Sequence, residues 1–240
     1  MLRAFLIILV LVGSFAFAQE DRAVALLEGA RLTFAPQEVQ TLEVKLDKNF
    51  YFGGEVEKSK AFYFLDLDKE RFYGEQDNAD VGLIKIRLTP RDASVTVNDQ
   101  TLPKDIADFI VTTTRTLIPE VVAATQLIPM EYQILSYDGV QSYGDLVRGE
   151  QVTLRYDAPG LGETVGKLLF GQRGELLGGV IDVPILGESL ILYDVFGYSG
   201  YLRLKTTTYT LNGSAFRLLE ERRYDYLYNR PIDPSYFELP

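Results

Sequence analysis

Thr41-Leu42-Glu43-Val44-Lys45-Leu46 alternates apolar and polar residues with a period of two. Such alternation is typical of a β-strand that has one apolar and one solvated face. The sequence that follows repeats the signal in short segments separated by glycine, asparagine and aspartate. These segments predict strands at Asn49–Gly54, Ala61–Leu67, Arg71–Glu75, Leu83–Leu88 and Ser94–Val97.

Two segments have helical spacing instead. Asp21–Leu32 predicts a short helix, and Lys104–Leu117 predicts a longer amphipathic one with Pro103 before its first turn. Pro119 is expected to open a separate helical piece, Glu120–Gln126. Ile106, Phe109, Ile110, Thr113 and Leu117 recur at spacings of three and four residues along the longer helix and form its predicted inner side.

Strands and turns fill the second half of the chain, Glu131–Glu238. Asp138-Gly139 and Asn212-Gly213 are both typical of tight hairpin turns, and Gly171–Gly174 predicts a further turn. Strands before and after a central helix indicate an α+β fold. A sheet of about ten strands usually curls, so we expect a large curved antiparallel sheet, or half-barrel, with a helical lid on its concave side.

The first eighteen residues have the layout of a secretory signal peptide. Arg3 precedes an apolar run of nine residues, Ala4–Val12, and Ala16-Phe17-Ala18 has the small residues of a cleavage site. The run is shorter than the roughly 20 residues that span a bilayer, which makes an uncleaved anchor the weaker alternative. We expect cleavage after Ala18, no lipid anchor because no cysteine follows, and a single domain over residues 19–240.

Composition excludes several classes of function. The chain of 240 residues has a formal charge of −10 and contains neither histidine nor cysteine. The negative charge disfavours nucleic acid as a partner. The missing residue types remove the usual general base, the thiol nucleophile, and imidazole or thiolate metal sites. We therefore expect no enzyme, no cofactor and no metal.

Three local patterns could contradict that expectation. Asp66, Asp68 and Glu70 lack the glycine of a calcium loop and indicate a solvated strand end. Ser59 and Lys60 are adjacent, so on a strand they point to opposite faces. Glu220–Arg223 is interpreted as a solvated strand surface. A carboxylate-only enzyme, such as a glycan hydrolase, remains the third candidate function.

The order of elements and two segments resemble a known family. The end of the chain, Asn229-Arg230-Pro231-Ile232-Asp233-Pro234-Ser235-Tyr236-Phe237, is similar to a closing segment of the form N-x-P-hydrophobic-D-x-x-hydrophobic-F. Lys69–Glu75 resembles the family's K-x-x-R-aromatic strand. The family comprises the LolA-like periplasmic carriers of outer-membrane lipoproteins and the wider lipoprotein-sorting half-barrel superfamily.

The resemblance implies a periplasmic carrier or chaperone that binds lipid or acylated lipoproteins and exchanges them with a membrane-bound donor or acceptor protein. It also implies an arginine that latches the lid, for which Arg71 is the candidate. The alternative is an envelope assembly or sensor module with the same fold and no ligand.

An apolar cavity is the site that such a carrier requires, and the 15 tyrosines and 14 phenylalanines favour one. Each residue could equally be ordinary core. Tyr224, Tyr226 and Tyr228 share one strand face, and they could line a cavity mouth or form cross-strand pairs, which is the more common role. The candidate cavity residues are Phe50, Phe52, Phe62, Phe64, Leu65, Ile84 and Ile86 from the sheet, with Ile106, Phe109, Ile110 and Leu117 from the lid.

Overall fold

The computed structural model describes residues 19–30, 39–78, 81–123, 131–158, 162–183, 187–198, 200–212 and 215–238, without the side chains of 116–123, 158, 183 and 212. The signal peptide predicted at Met1–Ala18 lies outside these residues. Helix α1 covers residues 19–30 and helix α2 covers Lys104–Ala123. A 3₁₀ helix over Pro234–Phe237 lies near the end of the chain.

Thirteen strands within the described residues form one open antiparallel sheet, in the order β6-β5-β4-β3-β2-β1-β13-β12-β11-β10-β9-β8-β7. The α+β class with a large antiparallel sheet is thereby confirmed. The strands are β1 (Thr41–Phe52), β2 (Glu55–Asp66), β3 (Arg71–Asn78), β4 (Gly82–Leu88), β5 (Ala93–Val97), β6 (Gln100–Thr101), β7 (Gln133–Tyr143), β8 (Val147–Ala158), β9 (Gly162–Phe170), β10 (Leu176–Val183), β11 (Gly187–Tyr198), β12 (Tyr201–Asn212) and β13 (Ala215–Tyr228).

The chain divides into two compact units, residues 1–35 with 126–190 and residues 36–125 with 191–240. In the first unit, Arg22 of α1 makes a two-point ion pair with Glu150 of β8, at 2.6 and 2.8 Å. The hydroxyl of Tyr137 donates to the same carboxylate at 2.6 Å. Leu26 and Leu27 of α1 are buried. The helix therefore packs through its apolar residues, and the ion pair of Arg22 with Glu150 holds it against β8.

The turn predicted at Asp138-Gly139 is not present, and this prediction is wrong. β7 runs through both residues, and its pairing with β8 shifts register there, which is a β-bulge. Gly139 has φ +67°, a conformation that a bulge and a tight turn both require. The Asp138 carboxylate accepts hydrogen bonds from Ser136, Gln151 and Thr153, so neighbouring side chains hold the bulge.

Other turn and helix predictions have mixed outcomes. β12 pairs with β13 up to Asn212 opposite Ala215, which confirms the hairpin expected at Asn212-Gly213. The backbone N–H of Gly171 donates to Glu175 O at 2.8 Å, closing the turn predicted at Gly171–Gly174. Helix α2 continues through Pro119 to Ala123, so the separate second piece predicted there is wrong over the described residues.

Candidate functional site

One face of the sheet in the second unit carries a row of tyrosines on β13. Tyr224, Tyr226 and Tyr228 point to the same side because side chains alternate along a strand. Their rings stack, with centroids 5.6 Å and 6.4 Å apart. We call the surface that they share with the residues paired to them the tyrosine face. Its other apolar members, by register, include Leu42, Val44, Leu46, Phe50 and Phe52 of β1, Tyr63 and Leu65 of β2, Phe72 of β3, Ile84, Ile86 and Leu88 of β4, Val95 and Val97 of β5, and Leu202 and Leu204 of β12.

Solvent exposure changes along the tyrosine face. Val44 and Tyr226 are fully enclosed, with no exposed surface. Leu46 is half-buried two positions further along β1, and Tyr63 of β2 and Ile86 of β4 are half-buried at the same level as Val44. The face therefore has a packed apolar end around Tyr226 and Val44, and an apolar middle beside it that solvent reaches in part.

A charged cluster follows the apolar middle. Glu220 is 7% exposed and accepts from Arg222 at 2.7 Å and from Lys48 at 2.9 Å. Arg222 also donates to the hydroxyl of Tyr224 at 3.1 Å. Burial by itself lowers the pKa of Arg222, but Tyr224 and Glu220 together raise it above its ordinary value. Arg222 is therefore a permanent cation whose charge is balanced by Glu220.

The buried tyrosines of this face remain neutral at physiological pH. Burial raises the pKa of the Tyr63 phenol, and it raises the pKa values of Tyr226 and Tyr228 as well. Desolvation disfavours the charged phenolate, so each ring keeps its proton. These hydroxyls can donate hydrogen bonds over the whole pH range in which a protein works.

The structure brings together part of the predicted cavity set. Leu65, Ile84 and Ile86 lie on the tyrosine face, and Leu65 is only 1% exposed. Phe50 and Phe52 point to the same side of β1, where Phe50 is half-buried and Phe52 is 74% exposed. These five residues share a face, and their role in binding stays a prediction.

Phe62 and Phe64 do not join that set. They alternate with Tyr63 and Leu65 along β2 and therefore lie on the opposite face. Phe64 forms a buried cluster with Tyr73 and Phe237, and Phe62 packs against it. The prediction that placed both phenylalanines in one cavity with Leu65 is corrected by this register.

The C-terminal segment covers this opposite face, and we call residues 229–238 the clasp. The ring of Tyr236 lies 4.5 Å from that of Phe64 and 5.0 Å from that of Tyr73. Arg87 donates to Tyr236 O at 3.2 Å. Asp233 accepts from the backbone N–H of Ser235 and so caps the 3₁₀ helix. The family-like closing segment therefore packs against the sheet and fastens it.

Arg71, the candidate lid latch, contacts the clasp. Its guanidinium pairs with the Asp66 carboxylate and lies 4.4 Å from the ring centre of Phe237. Asp66 is 7% exposed, so the solvated strand end interpreted from the sequence applies to Asp68 and Glu70 but not to Asp66. Its role as a lid latch stays a prediction. Arg115 of α2 donates to Thr89 O, in the turn between β4 and β5, at 3.3 Å.

Helix α2 contacts β5 and presents several of its predicted lid residues to solvent. Phe109 is 72% exposed and Ile106 is 46% exposed, whereas Ile110 is half-buried. The side chain of Leu117 lies outside the described residues. In this structure the lid phenylalanine is thus available at the surface.

Sequence reasoning missed the charged cluster. It interpreted Glu220–Arg223 as a uniformly solvated surface, but alternation turns Glu220 and Arg222 toward the tyrosine face and only Glu221 and Arg223 away from it. The period of two shared with Tyr224, Tyr226 and Tyr228 was the signal that could have found it.

A separate pocket of about 390 Å³ lies in the first unit, between α1 and the turn after β9. Small residues of α1 and the two arginines Arg22 and Arg173 line it. Arg22 is already paired with Glu150. None of the predicted cavity residues lines this pocket.

Comparison with known proteins gives structural likenesses only. No family model and no curated protein matches the chain. A LolA superfamily protein of Nitrosomonas europaea is similar over 90% of this chain and 97% of its own, with 13% identity and a TM-score of 0.45. The Mycobacterium tuberculosis lipoprotein LppX (88% and 96%, 11% identity, TM-score 0.31) and a DUF1329 family protein of Desulfovibrio piger (93% and 97%, 13% identity, TM-score 0.43) are also similar.

Of the helices in the described part of the chain, none is long and apolar enough to cross a membrane. Within the same residues, no group of three or more acidic side chains is placed to hold a metal ion.

Proposed function

We propose that this protein is an exported periplasmic carrier that binds lipid, or the acylated end of a lipoprotein, on the tyrosine face. The partly open apolar middle of that face, with Leu46, Tyr63, Ile84 and Ile86, is the observation that carries the proposal. Each buried CH₂ group contributes about 0.8 kcal/mol, so a few acyl chains suffice for firm binding.

Helix α2 has the role of a lid in this proposal. Ile106 and Phe109 are exposed in this structure, and they would contact acyl chains when the helix closes over the tyrosine face. Closure would exclude water from the chains, and opening would release them to a membrane-bound acceptor protein. Export by the signal peptide, with cleavage after Ala18, would place the carrier between two membranes.

A direct test uses protein purified from the envelope fraction of its host. We expect extractable lipid in the purified protein and saturable binding of a fluorescent acyl probe. Ile86→Glu places a charge in the apolar middle and should abolish probe binding. Val56→Glu, at an exposed position near the β1–β2 turn, is the matched control and should leave it intact. Absence of both lipid and probe binding would exclude the carrier function.

An interaction module without a ligand is the second candidate function. The dense packing at the enclosed end of the tyrosine face, where Leu42 and Val44 are almost fully buried, favours it. This alternative predicts that a stable protein partner is recovered in a pull-down and that no lipid is extracted.

A further inference from the structure

Two tyrosine hydroxyls in the enclosed part of the tyrosine face have no hydrogen-bond partner among the described residues. They are the hydroxyls of Tyr226 and Tyr228, and both are shielded from solvent. Tyr224, next in the row, has its hydroxyl engaged by Arg222. A buried hydroxyl without a partner is unfavourable, and native structures rarely retain one without a reason.

The partner that these hydroxyls need is a hydrogen-bond acceptor. Burial keeps both phenols protonated, so each presents an O–H donor. A tyrosine side chain extends further from its strand than valine or leucine. The flanking residues in register are Leu42, Val44 and Leu202, so the two hydroxyls lie further from the sheet than these apolar side chains and are shielded from solvent.

The acceptor is expected to be neutral. The cation on the same strand face, Arg222, lies four residues from Tyr226, which is about 13 Å along a strand. Arg222 is already paired with Glu220 and bonded to Tyr224. A carboxylate placed beside Tyr226 would therefore be buried without a counter-charge, which is strongly unfavourable. An ester or amide carbonyl carries no such penalty.

We propose that Tyr226 and Tyr228 are specificity-determining residues that donate hydrogen bonds to an ester or amide carbonyl of the bound lipid. The inference rests on the proposed carrier function and deepens it. The protein would then prefer ester-linked or amide-linked acyl lipids to free fatty acids, whose head group is anionic, and to plain hydrocarbons, which have no acceptor.

The test compares three probes that carry the same fluorophore: a diacylglycerol, a fatty acid and a hydrocarbon. Tyr226→Phe and Tyr228→Phe each keep the stacked ring and remove only the hydroxyl. Loss of one hydrogen bond should raise the dissociation constant for the diacylglycerol about fivefold. Binding of the hydrocarbon should not change. Tyr201→Phe is the matched control, because its hydroxyl donates to Asp225 on the opposite face.

The result for the fatty acid tests the selectivity itself. We expect weaker binding of the fatty acid than of the diacylglycerol at pH 7 in the wild-type protein. Tighter binding of the fatty acid, or equal diacylglycerol affinity in wild type and both phenylalanine variants, would overturn the inference while leaving the carrier function in place. Binding of none of the three probes would remove the carrier function, and the inference with it.

Thermal unfolding without ligand gives a second, independent readout. Each phenylalanine variant should be as stable as the wild type or more stable, because it removes a buried hydroxyl that has no partner. A clear drop in unfolding temperature in both variants would mean that the hydroxyls are satisfied within the protein, and it would overturn the inference.

Discussion

The Arg71 guanidinium lies over the ring of Phe237, 4.4 Å from its centre, and pairs at the same time with the buried carboxylate of Asp66. This contact joins the first residue of β3 to the last turn of the clasp. Phe237 is only 4% exposed and packs with Phe64 and Tyr73. The buried ring of Phe237, covered by the Arg71 guanidinium, therefore attaches the clasp to the sheet. The contribution of this ring to stability can be measured.

Phe237→Ala should destabilise the protein by about 3 kcal/mol, because it removes a buried aromatic side chain and leaves a cavity. Urea unfolding followed by circular dichroism measures the loss. Phe196→Ala is the control, since Phe196 is 60% exposed and should cost less than about 1 kcal/mol. A similar small loss for Phe237→Ala would mean that the clasp contributes little.

Arg71→Ala should cost about 2 kcal/mol, because Asp66 would remain buried without its strongest partner. Lys69, at 3.9 Å and largely exposed, compensates poorly. The double variant Arg71→Ala/Asp66→Asn should recover part of that loss, as judged by a double-mutant cycle. If Arg71 acted as a lid latch instead, the single variant would alter acyl-probe binding while leaving stability unchanged.

Stability should depend on pH through Glu150. Hydrogen bonds from Arg22 lower the pKa of Glu150 below its ordinary value of 4.5. A carboxyl with a lowered pKa in the folded state contributes stability above pH 4.5, and that contribution is lost as the pH falls through the folded pKa. The wild type should thus exceed Glu150→Gln in stability at pH 7, and the difference should shrink between pH 4.5 and pH 3.

Urea unfolding of both proteins at pH 7, 5, 4 and 3 gives this difference directly. The subtraction removes the contribution of the other carboxylates, which both proteins share. A difference that stays constant down to pH 3 would contradict a lowered pKa for Glu150.

Gly74→Ala should destabilise the protein by about 1–3 kcal/mol through overpacking. An added Cβ would lie 2.8 Å from the ring of Phe72 and 3.1 Å from that of Tyr63, on the tyrosine face. Gly29→Ala is the comparison within helix α1, where an added Cβ meets nothing within 4 Å. It should stabilise by up to about 1 kcal/mol, because alanine favours a helix. Thermal unfolding should show a lower unfolding temperature for Gly74→Ala and a higher one for Gly29→Ala.

Phe109→Ala should leave the free energy of unfolding within about 0.5 kcal/mol of the wild type, because the side chain is 72% exposed. If α2 closes over bound acyl chains, the same variant should weaken acyl-probe binding. Probe binding equal to that of the wild type would count against a lid role for this residue. Ala107→Ser, at a half-buried position two residues earlier and on the opposite side of the helix, provides a control variant in which the phenylalanine is retained.

Local patterns predicted the strands well and their turns less well. Asp138-Gly139 was interpreted as a hairpin because glycine accepts positive φ, but a bulge makes the same demand. What separated the two was the set of donors to Asp138 from Gln151 and Thr153 on β8, which lies outside any short window of sequence. Pro119 was similarly expected to start a new helix, and α2 continues through it.

In the candidate site too, the sequence predicts which residues alternate along a strand but not what each face contacts. The sequence shows that Phe62 and Phe64 alternate with Leu65, but not that the clasp covers their side of the sheet. It shows that Glu220 and Arg222 alternate with Glu221 and Arg223, but not which pair turns toward apolar neighbours. Pairing partners are set by contacts between residues far apart in the chain, so no local rule predicts them.

Local sequence patterns are enough to predict the α+β class, the period of most strands, the amphipathic character of α2 and the stripe formed by Tyr224, Tyr226 and Tyr228, because these depend on local backbone geometry and side-chain alternation. Only the folded chain shows that this stripe lies beside Val44 and Leu202, and that Arg71 holds the clasp. Those relationships depend on strand register and on burial, which arise only when distant segments pack together.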